Sequence, residues 1–285
     1  MISTAAQRGV AAPVMEVFAS IQGEGWYVGE PQVFLRLRGC PLRCRYCDTP
    51  GSWSLGADSA ESAALTARID RRVDLGGRER FPAWATPLEA AVWVGDVEPG
   101  TGRTVSVTGG EPLLWGPFLT ALKPLLGTRR LHLETAGADP VALAAVRDIV
   151  DHVSLDLKAP VDLEAPVAFA DAEVGLSDAS LAAPIPATAE DWALIREATL
   201  PLIAERDACA KVVVTDRGSL ADYADLLDDV ERLAPALPVI IQPATALRGA
   251  GPTSFEQVSA VAEHARDLGL TVRVLPQVHR GLGIQ

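Results

Sequence analysis

The stretch "QVFLRLRGCPLRCRYCDT" (32–49) runs from a strand-like alternation straight into three cysteines, Cys40, Cys44 and Cys47. In "VFLRLRG" Leu35 and Leu37 fall on one face and Arg36 and Arg38 on the other, the period of two of a half-buried strand. Such a strand, ending at the cysteines, aims a guanidinium at whatever they hold. The chain has four cysteines in all, and the fourth, Cys209, opens another apolar run where it reads as core. Three on one loop after a strand point to metal or redox chemistry rather than disulfides. Zinc takes four closed ligands, or three and a water, and the next histidine in the chain is His132. A cubane iron–sulfur cluster held by three thiolates keeps one iron free for a small molecule.

Working outward, short β-rich runs at 103–110, 130–137, 151–158, 210–216, 237–244 and 270–276 alternate with amphipathic stretches such as "SLADYADLLDDVERL" and "SFEQVSAVAEHARDL". Strand and helix in alternation give a parallel sheet with helices outside. About six such units are too few to close an eight-fold barrel. The expected fold is therefore α/β, a partial (β/α)6 TIM-like barrel with an open curved parallel sheet and its site at the strand C-terminal ends. A flat doubly wound sheet is the alternative. One domain spans 1–285, with insertions expected at about 54–80 and 159–186, where the alternation lapses.

Of 285 residues, 48 % are hydrophobic and 22 % charged, the balance of a globular chain. No apolar run is long enough for a membrane span, and the N-terminal residues lack a signal-peptide core, so a cytoplasmic location is expected. A net charge of −12 argues against nucleic acid as a partner. The local exception is Arg36, Arg38, Arg43 and Arg45, crowded around the cysteines.

The trio followed by "TGGEP" (108–112) resembles the radical S-adenosylmethionine (SAM) superfamily. There SAM chelates the free iron through its amino and carboxylate groups, and the reduced cluster cleaves it to a 5′-deoxyadenosyl radical. Glycines in that turn allow close backbone approach to the ligand, and Glu111 can accept from an ammonium. The stretch 15–53, with "SIQGEG", "FLRLRGC" and "CDT", is more specifically similar to the 7-carboxy-7-deazaguanine synthase family, as are "LETAG" (133–137), "SLDLKAP" (154–160), "IQPAT" (241–245) and "PQVHRGLG" (276–283). Pro41, Tyr46 and Arg280 depart from residues usual in that family.

This resemblance implies ring contraction of 6-carboxy-5,6,7,8-tetrahydropterin to 7-carboxy-7-deazaguanine with loss of ammonia. It implies a 4Fe-4S cluster on Cys40, Cys44 and Cys47, and Mg²⁺ on the Thr49 hydroxyl. SAM would meet Tyr46 and Asp48, Gly109, Gly110 and Glu111, then Ser154, Asp156 and Lys158. Further along it would meet Gln242, Pro243, Ala244 and Thr245. The pterin would meet Ile21, Gln22, Gly23 and Glu24, its carboxylate clamped by Arg36, with Thr108, His279 and the terminal carboxylate of Gln285 closing over it. Arg38 is expected in an ion pair within the domain. An electron donor such as flavodoxin or ferredoxin and a homodimer complete the implied partners, with Trp53, Phe81 and Trp84 as interface candidates. Two other readings stay open: a glycyl-radical activating enzyme, suggested by "LDLK", and a zinc- or cluster-binding structural protein.

Overall fold

A computed structural model describes residues 10–56, 59–100, 102–168, 185–245 and 253–284. The chain enters with β1 (Ala12–Ile21), turns, and runs back as β2 (Pro31–Leu37). After the cysteine loop, with its two-residue strand β3 (Arg43–Cys44), come α1 (Ser59–Ala64), β4 (Thr66–Asp70), β5 (Arg78–Pro82) and β6 (Trp84–Ala85). Then α2 (Pro87–Val97), β7 (Val105–Gly109), α3 (Gly116–Leu122), β8 (Leu131–Thr135), α4 (Pro140–Val146) and β9 (His152–Leu157) begin a regular alternation. It continues, after β10 (Leu163–Glu164), with α5 (Ala189–Ile203), β11 (Ala208–Val214), α6 (Leu220–Leu233), β12 (Val239–Pro243), α7 (Phe255–Asp267) and β13 (Val272–Val274), and ends in α8 (Val278–Leu282).

The main sheet has the order β13-β12-β11-β9-β8-β7-β2-β1-β4-β5. From β2 to β13 every neighbouring pair is parallel. The six strands β2, β7, β8, β9, β11 and β12 are each followed by one long-range crossover helix, α2 to α7. All seven strand candidates from the sequence are present. The path does not close, so the architecture is the expected open partial barrel. β1, antiparallel to β2, was not singled out, because its "APVMEVFASI" is apolar almost throughout and a short apolar run shows no decisive period. The segment 54–80 supplies β4 and β5, which extend the sheet beyond β1.

Alternation decides which side becomes the site. Val33, Leu35 and Leu37 on β2, Val105 and Val107 on β7, and Val153, Leu155 and Leu157 on β9 belong to the core under the helices. The intervening Arg36, Thr108, Glu134, Asp156, Lys211 and Gln242 face the other way and line one cavity. A flat doubly wound sheet would need apolar residues on both faces, and this inner face is polar. Capping boxes start the helices where the sequence places Thr or Ser three residues before an acid: Thr86 with Glu89 before α2, Thr188 with Asp191 before α5, and Ser219 with Asp222 before α6. Among the described residues, no helix is long and apolar enough to cross a membrane.

Candidate active site

The cysteine loop leaves β2 at Leu37 and folds over the C-terminal end of the sheet. Cys40, Cys44 and Cys47 all line the cavity, together with Tyr46, Asp48 and Thr49. Two struts fix the loop. β3 pairs with β10, Cys44 opposite Leu163, and the Arg45 amide donates to the Asp162 carbonyl at 2.9 Å. Asp162 is fully buried; its carboxylate accepts from Thr215 Oγ1 at 2.5 Å and Tyr223 OH at 3.1 Å, anchoring the loop to the end of β11 and to α6. The start of the second expected insertion therefore grips the cysteine loop, while its residues 169–184 lie outside the described ones.

Three cysteine thiols share this cavity wall, a donor set that fits a cubane iron–sulfur cluster with one iron left open to a small molecule. Burial raises all three thiols above the ordinary value, so an unligated thiolate is disfavoured here.

On the substrate side, Arg36 holds Thr49. Its Nε donates to Glu16 Oε1 at 2.8 Å and its NH1 to Thr49 Oγ1 at 3.2 Å, and Thr49 Oγ1 donates to Asp48 Oδ1 at 2.8 Å. Thr49 precedes a turn of 3-10 helix yet its side chain caps nothing, so the hydroxyl serves the cavity. Burial raises the Asp48 carboxyl, but hydrogen bonds from His279 and Thr49 and the charges of Arg36 and Arg280 outweigh that and hold it well below the carboxylate range. Arg38 does not join them. It donates to the Gly51 and Thr66 carbonyls, in hydrogen bonds within the domain where an ion pair was expected.

The Gln22–Glu24 turn enters the cavity from below. Gln22 donates to Glu134 Oε1 at 2.9 Å, and Glu134 also accepts from Ser106 at 2.7 Å and Thr108 at 3.2 Å. The C-terminal segment packs on this turn: Val278 N donates to Gly23 O at 3.0 Å, and Gln277 Nε2 to Glu24 Oε1 at 2.6 Å. A side chain on Gly23 would stand 2.1 Å from His279 Nδ1, which is why that position carries none. His279 and Gln277 thus line the cavity as the tail arrives, and Gln285 lies outside the described residues.

The SAM-side expectations divide. Asp156 and Lys158 share the inner face and pair at 3.2 Å, and Lys158 lies over the Tyr46 ring at 5.3 Å. Gln242 lines the cavity, 3 % exposed, and its Oε1 accepts from no protein group. A buried acceptor left open in a cavity calls for a ligand donor. Glu111 also lines the cavity, and its oxygens accept from Thr135 Oγ1, Leu113 N and Ala136 N, which fixes the carboxylate in the turn. The close approach that Gly110 permits is to protein: a Cβ there would stand 1.9 Å from Gly39 O. Ser154 sits deeper, bonded to His132 Nε2 at 2.9 Å, and Pro243, Ala244 and Thr245 lie off the cavity wall. Ile21, Thr108 and Gly109 are on the wall as expected.

Three site residues escaped the sequence reading. Lys211, 6 % exposed, stands between Glu24 at 2.5 Å and Asp156 at 3.0 Å, tying the two halves of the cavity. Its signal was a lone lysine inside the apolar strand "ACAKVVV". Glu134 was hidden within "LETAG", and Gln277 within the tail motif.

The radical SAM superfamily profile matches residues 35–171. The 7-carboxy-7-deazaguanine synthase of Methanopyrus kandleri is 33 % identical over 277 residues, 94 % of this chain and 92 % of that one. That of Geobacter sulfurreducens is 31 % identical over 284 residues, 95 % and 97 % of the two chains. The crystal structure of QueE from Escherichia coli shares the fold, with a TM-score of 0.52 at 18 % identity over 96 % of this chain and 99 % of that one. With relatives 33 % and 31 % identical along nearly the whole of both chains, and three cysteines on the cavity wall in the loop after β2, the chain belongs to the 7-carboxy-7-deazaguanine synthase family of radical SAM enzymes.

Proposed function

We propose that the chain contracts 6-carboxy-5,6,7,8-tetrahydropterin to 7-carboxy-7-deazaguanine, releasing ammonia. The observation that carries this reading is the placing of the Arg36 guanidinium and the Thr49 hydroxyl, 3.2 Å apart, in one cavity with the three cysteines and the Gln22–Glu24 turn. Bound cluster and SAM supply the 5′-deoxyadenosyl radical. Cys40, Cys44 and Cys47 hold the cluster, and Gln242 and Lys158 hold SAM. Arg36 binds the substrate carboxylate through two points, as a planar guanidinium does. Gln22, Glu24 and Glu134 meet the aminopyrimidinone edge, whose donors suit carboxylate and amide oxygens. His279 and the tail exclude water above it.

Mg²⁺ belongs in this reading at Thr49, with Asp48, whose Oδ1 accepts from Thr49 Oγ1 at 2.8 Å, as a neighbouring hard oxygen donor. Flavodoxin or ferredoxin is the proposed electron donor and the cytoplasm the proposed location. A homodimer is proposed from the family alone: Trp84 packs on Trp115, Phe81 on Trp93, and Arg43 on Trp53, so the three aromatic candidates are engaged within the chain. An activating enzyme would have no use for the Gln22–Glu24 turn inside the cavity. The test is anaerobic reconstitution: about four irons and four sulfides per chain are expected, lost with any of C40A, C44A and C47A and kept in C209A. Iron content that depends on Cys209, or zinc in place of iron, would refute the ligand set.

A further inference from the structure

The register of β1 shifts between Val14 and Glu16, and beyond that irregularity Glu16 lies opposite Arg36 on β2 and opposite Arg68 on β4. Arg36 lies opposite Thr108 on β7, and Arg68 opposite Arg80 on β5. Residues in register share a face and touch. One row of side chains, Thr108, Arg36, Glu16, Arg68 and Arg80, therefore crosses from the cavity wall to the edge of the sheet. Glu16 is 7 % exposed. One oxygen accepts from Arg36 Nε at 2.8 Å; the other stands 2.6 Å from Arg68 NH2, an ionic contact off the hydrogen-bond direction. Arg68 Nε is also 3.3 Å from Asp70, which Arg78 holds from outside at 2.8 Å.

This arrangement meets a difficulty in the carboxylate clamp. A buried glutamate touching Arg36 orients it through Nε, leaving the NH1 side for Thr49 and the cavity. The same glutamate cancels the positive charge that an anionic ligand needs, and repels that ligand. A second guanidinium on the far side of Glu16 takes up that negative charge without turning Arg36. Arg68 stands there, supplied by the segment 54–80. We infer that Arg68 is a positioning residue for anion binding: it shares Glu16 with Arg36, so that Arg36 stays both aimed and electrically available for the substrate carboxylate. The edge strands of this segment are then part of the substrate site, acting through one carboxylate. The inference rests on reading Arg36 as the carboxylate ligand.

The experiment uses full-length, cluster-loaded enzyme under anaerobic conditions. Dissociation constants for the carboxy-tetrahydropterin and, separately, for SAM are measured in wild type, R68M, R68K, R36A and the R36A/R68M double variant. R68M should weaken pterin binding about tenfold and leave SAM affinity and iron content unchanged. R68K should restore most of the loss, and R68M should add nothing in the R36A background. R68Q, which keeps donors but not charge, gives the same measurement should R68M not fold. Equal losses in both backgrounds, or loss of SAM affinity alongside, would mean that Arg68 only staples β4 to β1 and would overturn the inference. So would weak binding in R36A with unchanged binding in R68M. Wild-type pterin affinity in R36A would instead overturn the carboxylate reading, and this inference with it.

Discussion

Thr49 carries a small group with a specific job. Its hydroxyl is held between Arg36 and Asp48, where a magnesium ion would exchange one hydrogen bond for a ligand bond. Replacing it by valine keeps the shape and removes the oxygen. T49V is expected to lose about 10- to 100-fold in apparent Mg²⁺ affinity, with SAM binding intact; unchanged Mg²⁺ stimulation of turnover would show that the hydroxyl serves the fold alone. Thr49 was legible in the sequence only through its family, since Asp-Thr after a cysteine is otherwise a turn. The alternation of β2 put Arg36 and Arg38 on one face, and only the family resemblance selected Arg36. Lys211 and Glu16 were not legible, because their partners come from strands far away in the chain, and register decides who meets whom.

The inner faces of β8 and β9 carry a different kind of information. His132 and His152 are buried beneath the cavity, 1 % and 2 % exposed, with Ser154 Oγ 2.9 Å from His132 Nε2 and Asp207 accepting from His152 Nδ1 at 2.7 Å. Burial holds His132 well below its ordinary value of 6.5, with the neighbouring His152 and Lys211 adding to the effect. The unfolded chain therefore takes up a proton below that value while the folded chain does not. Stability contributed by keeping His132 neutral is complete above pH ~6.5 and falls as the pH drops toward the lowered folded value. Between pH ~6.5 and ~5 the wild type should lose stability through this residue, read as a falling urea midpoint. H132Q should flatten that dependence, and an equal slope in the variant would mean that other groups govern acid sensitivity. The period of two predicted where these strands lie, but not that their inner face would be polar down to the floor.

Taken whole, the molecule is a set of β–α units whose outward faces make the core and whose inward faces make the cavity, with β1, β4 and β5 widening the sheet on one side. Much of this was readable, because period-two runs and amphipathic stretches alternate over residues 103–158 and 210–276. The segment 54–80 was not, since its edge strands are short and rich in arginine and acid, the composition of a solvated loop. A homodimer is expected at micromolar concentration, and a monomeric sedimentation coefficient there would remove it. The central claim is the reaction, and it is tested most directly by incubating the reconstituted enzyme anaerobically with SAM, Mg²⁺, a reductant and 6-carboxy-5,6,7,8-tetrahydropterin, then identifying the products by mass. One 7-carboxy-7-deazaguanine and one ammonia should form for each pterin consumed. SAM cleavage with the pterin returned unchanged would contradict the account.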